Sequence, residues 1–253
     1  MGSDFIVEAK GLTKRFGGFV AVKDLNLGVR RHAIHALIGP NGAGKTTCFN
    51  LLTRFLDPSE GSILFKGADV TRRPAADVAR LGMVRSFQIS ATFGNLTVLE
   101  NVRVALQRDA GHSFHFWKAA RCLAALDARA MELIASVGLA DFAENVVAEL
   151  PYGRKRALEI ATTLALEPEL MLLDEPTSGM GHEDIARTSQ LIRRAAEGRT
   201  VLLVEHNLSV VAELAHDITV LARGEILAQG SYADVSRNED VVRAYLGRGG
   251  KRA

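Results

Sequence analysis

The sequence predicts an α/β protein with a mixed sheet core, an antiparallel β group near its amino terminus and an inserted α-helical subdomain. Three observations carry this reading. Short Leu-rich or β-branched runs alternate with helical patterns, which is the signal of a parallel sheet covered by helices. Turn chemistry at Gly17-Gly18 and Lys66-Gly67 punctuates the first 70 residues in the way of hairpins. Between about residues 89 and 160 strand signals fade and apolar residues recur at helical spacing.

In order along the chain, Phe5 to Leu12, Leu25 to Arg30 and Ser62 to Lys66 form the antiparallel group. His35 to Ile38 reads as a buried strand ending in polar residues, and Leu170 to Leu173 and Val201 to Val204 repeat the pattern. Leu99 to Leu106, Lys118 to Val137 and Arg154 to Leu166 are the expected helices of the insert. The last places Ala157, Ile160, Ala161, Leu164 and Ala165 on one face, begins near Gly153, and must stop before Pro168, whose ring disfavours helix at Glu167. The tail from Gly247 is expected to be unstructured.

Composition excludes several classes. With 47% hydrophobic residues in a chain of 253, a core can be built, and a disordered or fibrous chain is ruled out. Lys and Arg number 31 against 29 Asp and Glu, a balance that argues against nucleic acid as a partner. Cys48 and Cys122 lie far apart without metal-ligand spacing, which fits a reducing compartment. No apolar run reaches the length of a membrane span, and Met1 to Asp4 show no export signal, so a soluble, cytoplasmic chain is expected.

Chemistry enters after Ile38, where Gly39-Pro40-Asn41-Gly42-Ala43-Gly44-Lys45-Thr46-Thr47 satisfies G-x-x-x-x-G-K-[ST] between a strand and a helix. Glycines let backbone N–H groups turn inward and the helix amino terminus adds positive potential. Lys45 then reaches the β- and γ-phosphates, the Thr46 hydroxyl is placed to ligate Mg²⁺, and Thr47 reaches the α-phosphate. A second strand, Leu170 to Leu173, ends in Asp174-Glu175-Pro176. Alone, such a pair is most often a solvated strand end. Downstream of a phosphate loop, Asp174 is expected to hold Mg²⁺ through its hydration shell and Glu175 to act as general base on water.

With these motifs in order, the chain from Phe5 to Gly247 resembles the nucleotide-binding subunits of ATP-binding cassette (ABC) transporters. The likeness includes Gln88 at the end of Val84-Arg85-Ser86-Phe87-Gln88, Leu150-Pro151-Tyr152-Gly153-Arg154 at the family's signature position, and His206 in Val204-Glu205-His206-Asn207. The stretches RFGGFVAVKDL, LTVLENV, ALEIA, LLVEHN and AYLG look most like the ATPases of branched-chain or hydrophobic amino acid importers.

The resemblance implies a P-loop, RecA-like fold and one ATPase domain over residues 1–247. Its core lobe would be 1–88 and 161–247, its helical subdomain 89–160, with a flexible basic tail at 248–253. ATP and Mg²⁺ are the implied cofactors. Phe16 would stack on adenine, although a core Phe of an edge strand is the other reading. Gly39, Asn41, Gly42, Ala43, Gly44, Lys45, Thr46 and Thr47 would cradle phosphates. Gln88 would contact Mg²⁺ and the attacking water, His206 the γ-phosphate, and Tyr152 and Gly153 the nucleotide of a second cassette. The implied partners are that second cassette, identical or related, membrane permease subunits, and indirectly a periplasmic substrate-binding protein. A permease helix would dock near Gln88 to Asn101, holding the chain on the inner face of the membrane.

Two departures stand out: Pro151 replaces the signature serine, removing a hydroxyl and a backbone N–H, and Gly181 stands where many relatives have aspartate. A urea importer, a lipopolysaccharide exporter, an iron–sulfur assembly scaffold and a non-hydrolysing regulator remain alternatives. Double-cassette translation factors and coiled-coil repair ATPases do not fit the architecture. His112-Ser113-Phe114-His115-Phe116-Trp117 is assigned no metal, and Arg72-Arg73 and Arg154-Lys155-Arg156 are expected on solvated faces.

Overall fold

A computed structural model describes residues 4–86, 92–107 and 126–246. The strands are β1 (Phe5–Phe16), β2 (Phe19–Arg30), β3 (Ile34–Ile38), β4 (Glu60–Phe65), β5 (Ala68–Asp69), β6 (Met83–Arg85), β7 (Leu170–Asp174), β8 (Thr200–Val204), β9 (Asp217–Ala222) and β10 (Glu225–Gly230). The helices are α1 (Lys45–Leu52), α2 (Ala75–Arg80), α3 (Val98–Gln107), α4 (Asp127–Ser136), α5 (Tyr152–Leu164), α6 (His182–Ala195), α7 (Leu208–Leu214), α8 (Tyr232–Arg237) and α9 (Glu239–Leu246). None is long and apolar enough to cross a membrane.

The chain groups into two compact units, and each is described by itself. One comprises residues 1–85, 169–175 and 196–253; the other comprises 86–168 and 176–195.

The first unit holds two sheets. β2-β1-β4-β5 is antiparallel, and β10-β9-β3-β8-β7-β6 is parallel except for its β9–β10 hairpin. The expected strands are all present, but β1 and β2 form a longer hairpin than their apolar runs predict. Its tip is Gly17-Gly18, with Gly17 at φ 57° in the left-handed region that glycine favours. β3 and β8 are buried along their length, and β7 up to Asp174, because both faces of a parallel sheet are covered. Phe49, Leu51 and Leu52 of α1 join β1, β2 and β4 side chains in one core, while Ile38, Val211, Ile218, Val220 and Val235 form a smaller one.

In the second unit α3, α4, α5 and α6 bury Val98, Val102, Ile134, Leu158, Ala161 and Ile192. Of the long helix expected over Lys118 to Val137, the described part is α4; its first residues lie outside the described ones, as do Cys122, the His112 to Trp117 stretch and the basic tail. α5 begins at Tyr152, with Pro151 in its N-cap position at ψ 153°, and ends before Pro168 as the proline requires.

One expectation is corrected here. Arg156 is not on a solvated face: it is 6% exposed and pairs with the buried Glu159 at 2.6 Å, one helical turn on. Three adjacent bases cannot share one helix face, because successive residues are rotated by about 100°. Arg154 turns elsewhere, its guanidinium 3.6 Å from the Phe142 ring centre.

Candidate functional site

The centre of the larger sheet ends in the phosphate loop. Register pairs Leu37 with Val204 and Val204 with Asp174, so β3, β8 and β7 finish level at one carboxyl edge. That edge is where parallel α/β sheets place their ligands. From it emerge, in space, the loop from Gly39, the Glu205-His206 turn and the Asp174-Glu175 pair.

Glycine is obligatory at two loop positions. At Gly39, φ 150°, an added Cβ would lie 2.2 Å from the Leu221 carbonyl oxygen. At Gly44, φ 101°, it would lie 2.7 Å from the Ala21 oxygen. Between them the Ala43 N–H donates to Pro40 O at 3.1 Å, and the Gly224 N–H donates to Ala43 O at 3.0 Å, clamping the loop against the β9–β10 turn. The first-turn N–H groups of α1 have no acidic side chain to compensate them, so the helix amino terminus keeps its positive potential.

Lys45 is buried and donates to the Gly39 and Pro40 carbonyls at 2.7 and 3.1 Å. Burial lowers its pKa from the ordinary lysine value, while the carboxylates of Glu175 and Asp174 oppose that. The three charged groups expected to act together therefore share one field. Thr46 and Thr47 follow in the first turn of α1, Thr46 exposed. Asn41 and Gly42 are exposed at the loop's crest and Ala43 is buried beneath.

Glu175 adopts φ 46°, a left-handed conformation that costs a non-glycine residue about 1–2 kcal/mol. Its N–H donates to Val204 O at 2.9 Å, which holds the turn and carries the carboxylate past the strand end. Asp174, still in β7, accepts from Arg85 at 2.6 Å.

His206 is placed by a carboxylate that motif spacing does not single out. Glu205 is fully buried, and its Oε2 accepts the N–H groups of His206 and Asn207 at 2.8 and 3.0 Å. Nδ1 of His206 lies 3.7 Å from the same oxygen, and the imidazole is 56% exposed at the sheet edge. Asn207 then caps α7 by accepting from Ser209 and Val210.

Phe16 closes the β1–β2 hairpin opposite Phe19, 46% exposed, with the Lys14 ammonium 5.2 Å from its ring centre. The returning strand passes the loop at Ala21, beside Gly44. Tyr152 and Gly153 belong to the other unit and open α5; Tyr152 is exposed. Gln88 lies outside the described residues. Arg85 and Glu205 are the residues that motif reading missed. Their only signal is a charged residue at the end of an otherwise apolar strand.

A metal that suits these donors is a hard one. Thr46 and Asp174 offer hydroxyl and carboxylate oxygens, and no three His, Cys, Asp or Glu side chains among the described residues converge as a cage. Such a donor set fits Mg²⁺, which keeps several waters and shares its shell with phosphates.

A loop of this geometry at the centre of a parallel sheet, facing an acidic pair two strands away, defines a phosphate-loop nucleotide-binding protein. The family model described as ABC transporter matches residues 22–178, and that of the branched-chain amino acid ATP-binding cassette transporter matches residues 225–251. BraF of Pseudomonas aeruginosa, a high-affinity branched-chain amino acid transport ATP-binding protein, is 38% identical over 257 residues, covering 96% of this chain and 98% of the relative. LivG of Escherichia coli, of the same description, is 37% identical over 252 residues with the same coverage. Among solved structures, the ADP conformation of an ATP-binding cassette of an ABC transporter superposes with a TM-score of 0.83 at 25% identity, over 98% of this chain and 99% of that one. The chain belongs to the ABC transporter family.

Proposed function

We propose that this chain binds ATP with Mg²⁺ on the Gly39 to Thr47 loop and hydrolyses it to power uptake of branched-chain or other hydrophobic amino acids through a membrane permease. The likeness to BraF and LivG over 96% of the chain supports the transport reading. The observation that carries the chemistry is the level carboxyl edge of β3, β8 and β7, which sets Lys45, Asp174 and Glu175 in one electrostatic neighbourhood.

Lys45 and the N–H groups of the loop hold the phosphates and counter their charge. Thr46 and Asp174, with Gln88, hold Mg²⁺, which when bound neutralises phosphate oxygens. Glu175, carried past the strand end by its left-handed turn, accepts the proton of the attacking water, and His206 contacts the γ-phosphate. Phe16 offers its exposed ring to adenine.

Gly153 and Tyr152, at the exposed start of α5, face the nucleotide of a second cassette, and closure of the pair drives the permease. The chain sits on the inner face of the membrane through that permease, and a periplasmic binding protein delivers the substrate.

The test is turnover with the permease partner present. Glu175→Gln should retain ATP binding and lose turnover by about 10²–10⁴-fold, whereas Lys45→Ala should lose binding itself. Undiminished hydrolysis by Glu175→Gln would remove that residue from its role.

A further inference from the structure

Arg85 closes the edge strand β6 and makes two bonds that converge on the site. Nη2 donates to Asp174 Oδ2 at 2.6 Å, and Nη1 donates to the Asn50 side-chain oxygen on α1. The guanidinium also lies 5.8 Å from the ring centre of Phe49, a fully buried core residue. Arg85 and Asp174 are 16% and 12% exposed, so this is no solvent-screened surface pair. The planar fork can hold two oxygens at fixed positions, which a lysine cannot.

Two consequences follow from charge and geometry. Asn50 lies five residues beyond Lys45 on the same helix, so the fork ties Asp174 to the element that carries the phosphate loop. It also balances charge: Lys45 and Arg85 stand against Asp174 and Glu175. Without Arg85, two carboxylates would share one ammonium, and a divalent cation would be drawn to the edge without any nucleotide.

We propose that Arg85 is the positioning residue for Asp174: its fork aims the carboxylate toward the phosphate loop and neutralises it, so that Mg²⁺ is taken up together with the nucleotide and not before it. This rests on the ATPase reading given above.

Two measurements decide it: thermal stability of the purified chain in millimolar Mg²⁺ alone, and steady-state turnover of the chain with its permease. Arg85→Met should gain several degrees in Tm on adding Mg²⁺ without nucleotide, where the unaltered protein gains less than one. Its kcat should fall about tenfold or more while KM for Mg·ATP moves less than threefold. Arg85→Lys restores the charge but not the fork, so it should abolish the response to Mg²⁺ alone and keep part of the kcat loss. Asn50→Ala should lower kcat a few-fold with no response to Mg²⁺ alone.

A Met variant matching the unaltered protein in both measurements overturns the role of Arg85 while the ATPase reading stands. Should that variant fail to fold, unchanged kcat in both Arg85→Lys and Asn50→Ala overturns it equally. An unaltered protein that does not turn over ATP with its permease overturns the ATPase reading, and this role with it.

Discussion

In the strand-rich unit the site's charged side chains gather where strands end, whereas in the helical unit Arg156 and Glu159 are buried side by side in the middle of α5. The first arrangement is partly solvated, with the Arg85 and Asp174 side chains 16% and 12% exposed; the second is buried, with the Arg156 and Glu159 side chains 8% and 4% exposed. Charge at a strand end is held by directed bonds, as Arg85 holds Asp174 and as Glu205 accepts the His206 and Asn207 N–H groups. Charge buried in a helix face relies on its ion-pair partner to offset lost hydration. Burial accordingly raises the Glu159 carboxyl to about 6, the Arg156 guanidinium opposing. The strand unit has its own buried group of opposite sign. Burial lowers His35 to about 4 against the smaller pull of Asp217, and Nε2 meets Thr219 Oγ1 at 2.8 Å.

The largest stability effect that would break this contrast is at Arg156. Arg156→Ala should destabilise the protein by about 3–5 kcal/mol by stranding Glu159, while the paired change Arg156→Met with Glu159→Leu should be near neutral or stabilising. Calorimetric scans of these two variants beside the unaltered protein distinguish the outcomes; equal losses in the single and double variants would show that the pair contributes nothing beyond packing.

Next comes pH. His35 takes up a proton in the unfolded chain near 6.5 but resists it in the fold until about 4, so its contribution of about 3 kcal/mol is lost as pH falls through that window. Glu159 has the opposite sign. Its folded value is raised, so stability is greatest below about 4.5 and about 2 kcal/mol is lost as pH rises to about 6. The two partly cancel in mild acid. Stability measured from pH 7 to 4 should therefore fall more steeply in Glu159→Gln than in the unaltered protein, and less steeply in His35→Gln.

The smallest expected effect sharpens the comparison at a departure from the family pattern. Gly181 accepts the Ile185 N–H at the start of α6, and an added Cβ there meets nothing within 4 Å. Gly181→Asp should thus fit, and should change stability by no more than about 0.5 kcal/mol, since glycine caps a helix almost as well as aspartate. A larger loss would mean that the start of α6 does not tolerate an aspartate side chain.

How much of this was legible beforehand depends on how local each signal is. The phosphate loop, Asp174 and Glu175 are contiguous motifs following apolar strands, and they could be placed before any coordinates. β5, β6 and β10 were not, because two- and three-residue strands and a half-buried edge strand carry too little periodicity. Arg156 was misplaced because a run of bases resembles a solvated face until the facing elements of the unit are known. Arg85 meets Asp174 across 89 residues of chain and Asn50 across 35, and no pattern in the sequence joins the three.

By itself the order of residues determined the fold class, the loop chemistry and the family resemblance, since these depend on spacing along one stretch of backbone at a time. Only the tertiary structure decided that β3, β7 and β8 end level, that Glu205 anchors the histidine turn, and that Arg85 holds Asp174. Those relations arise from strand register and side-chain packing between segments far apart in the chain, where short-range periodicity carries no information.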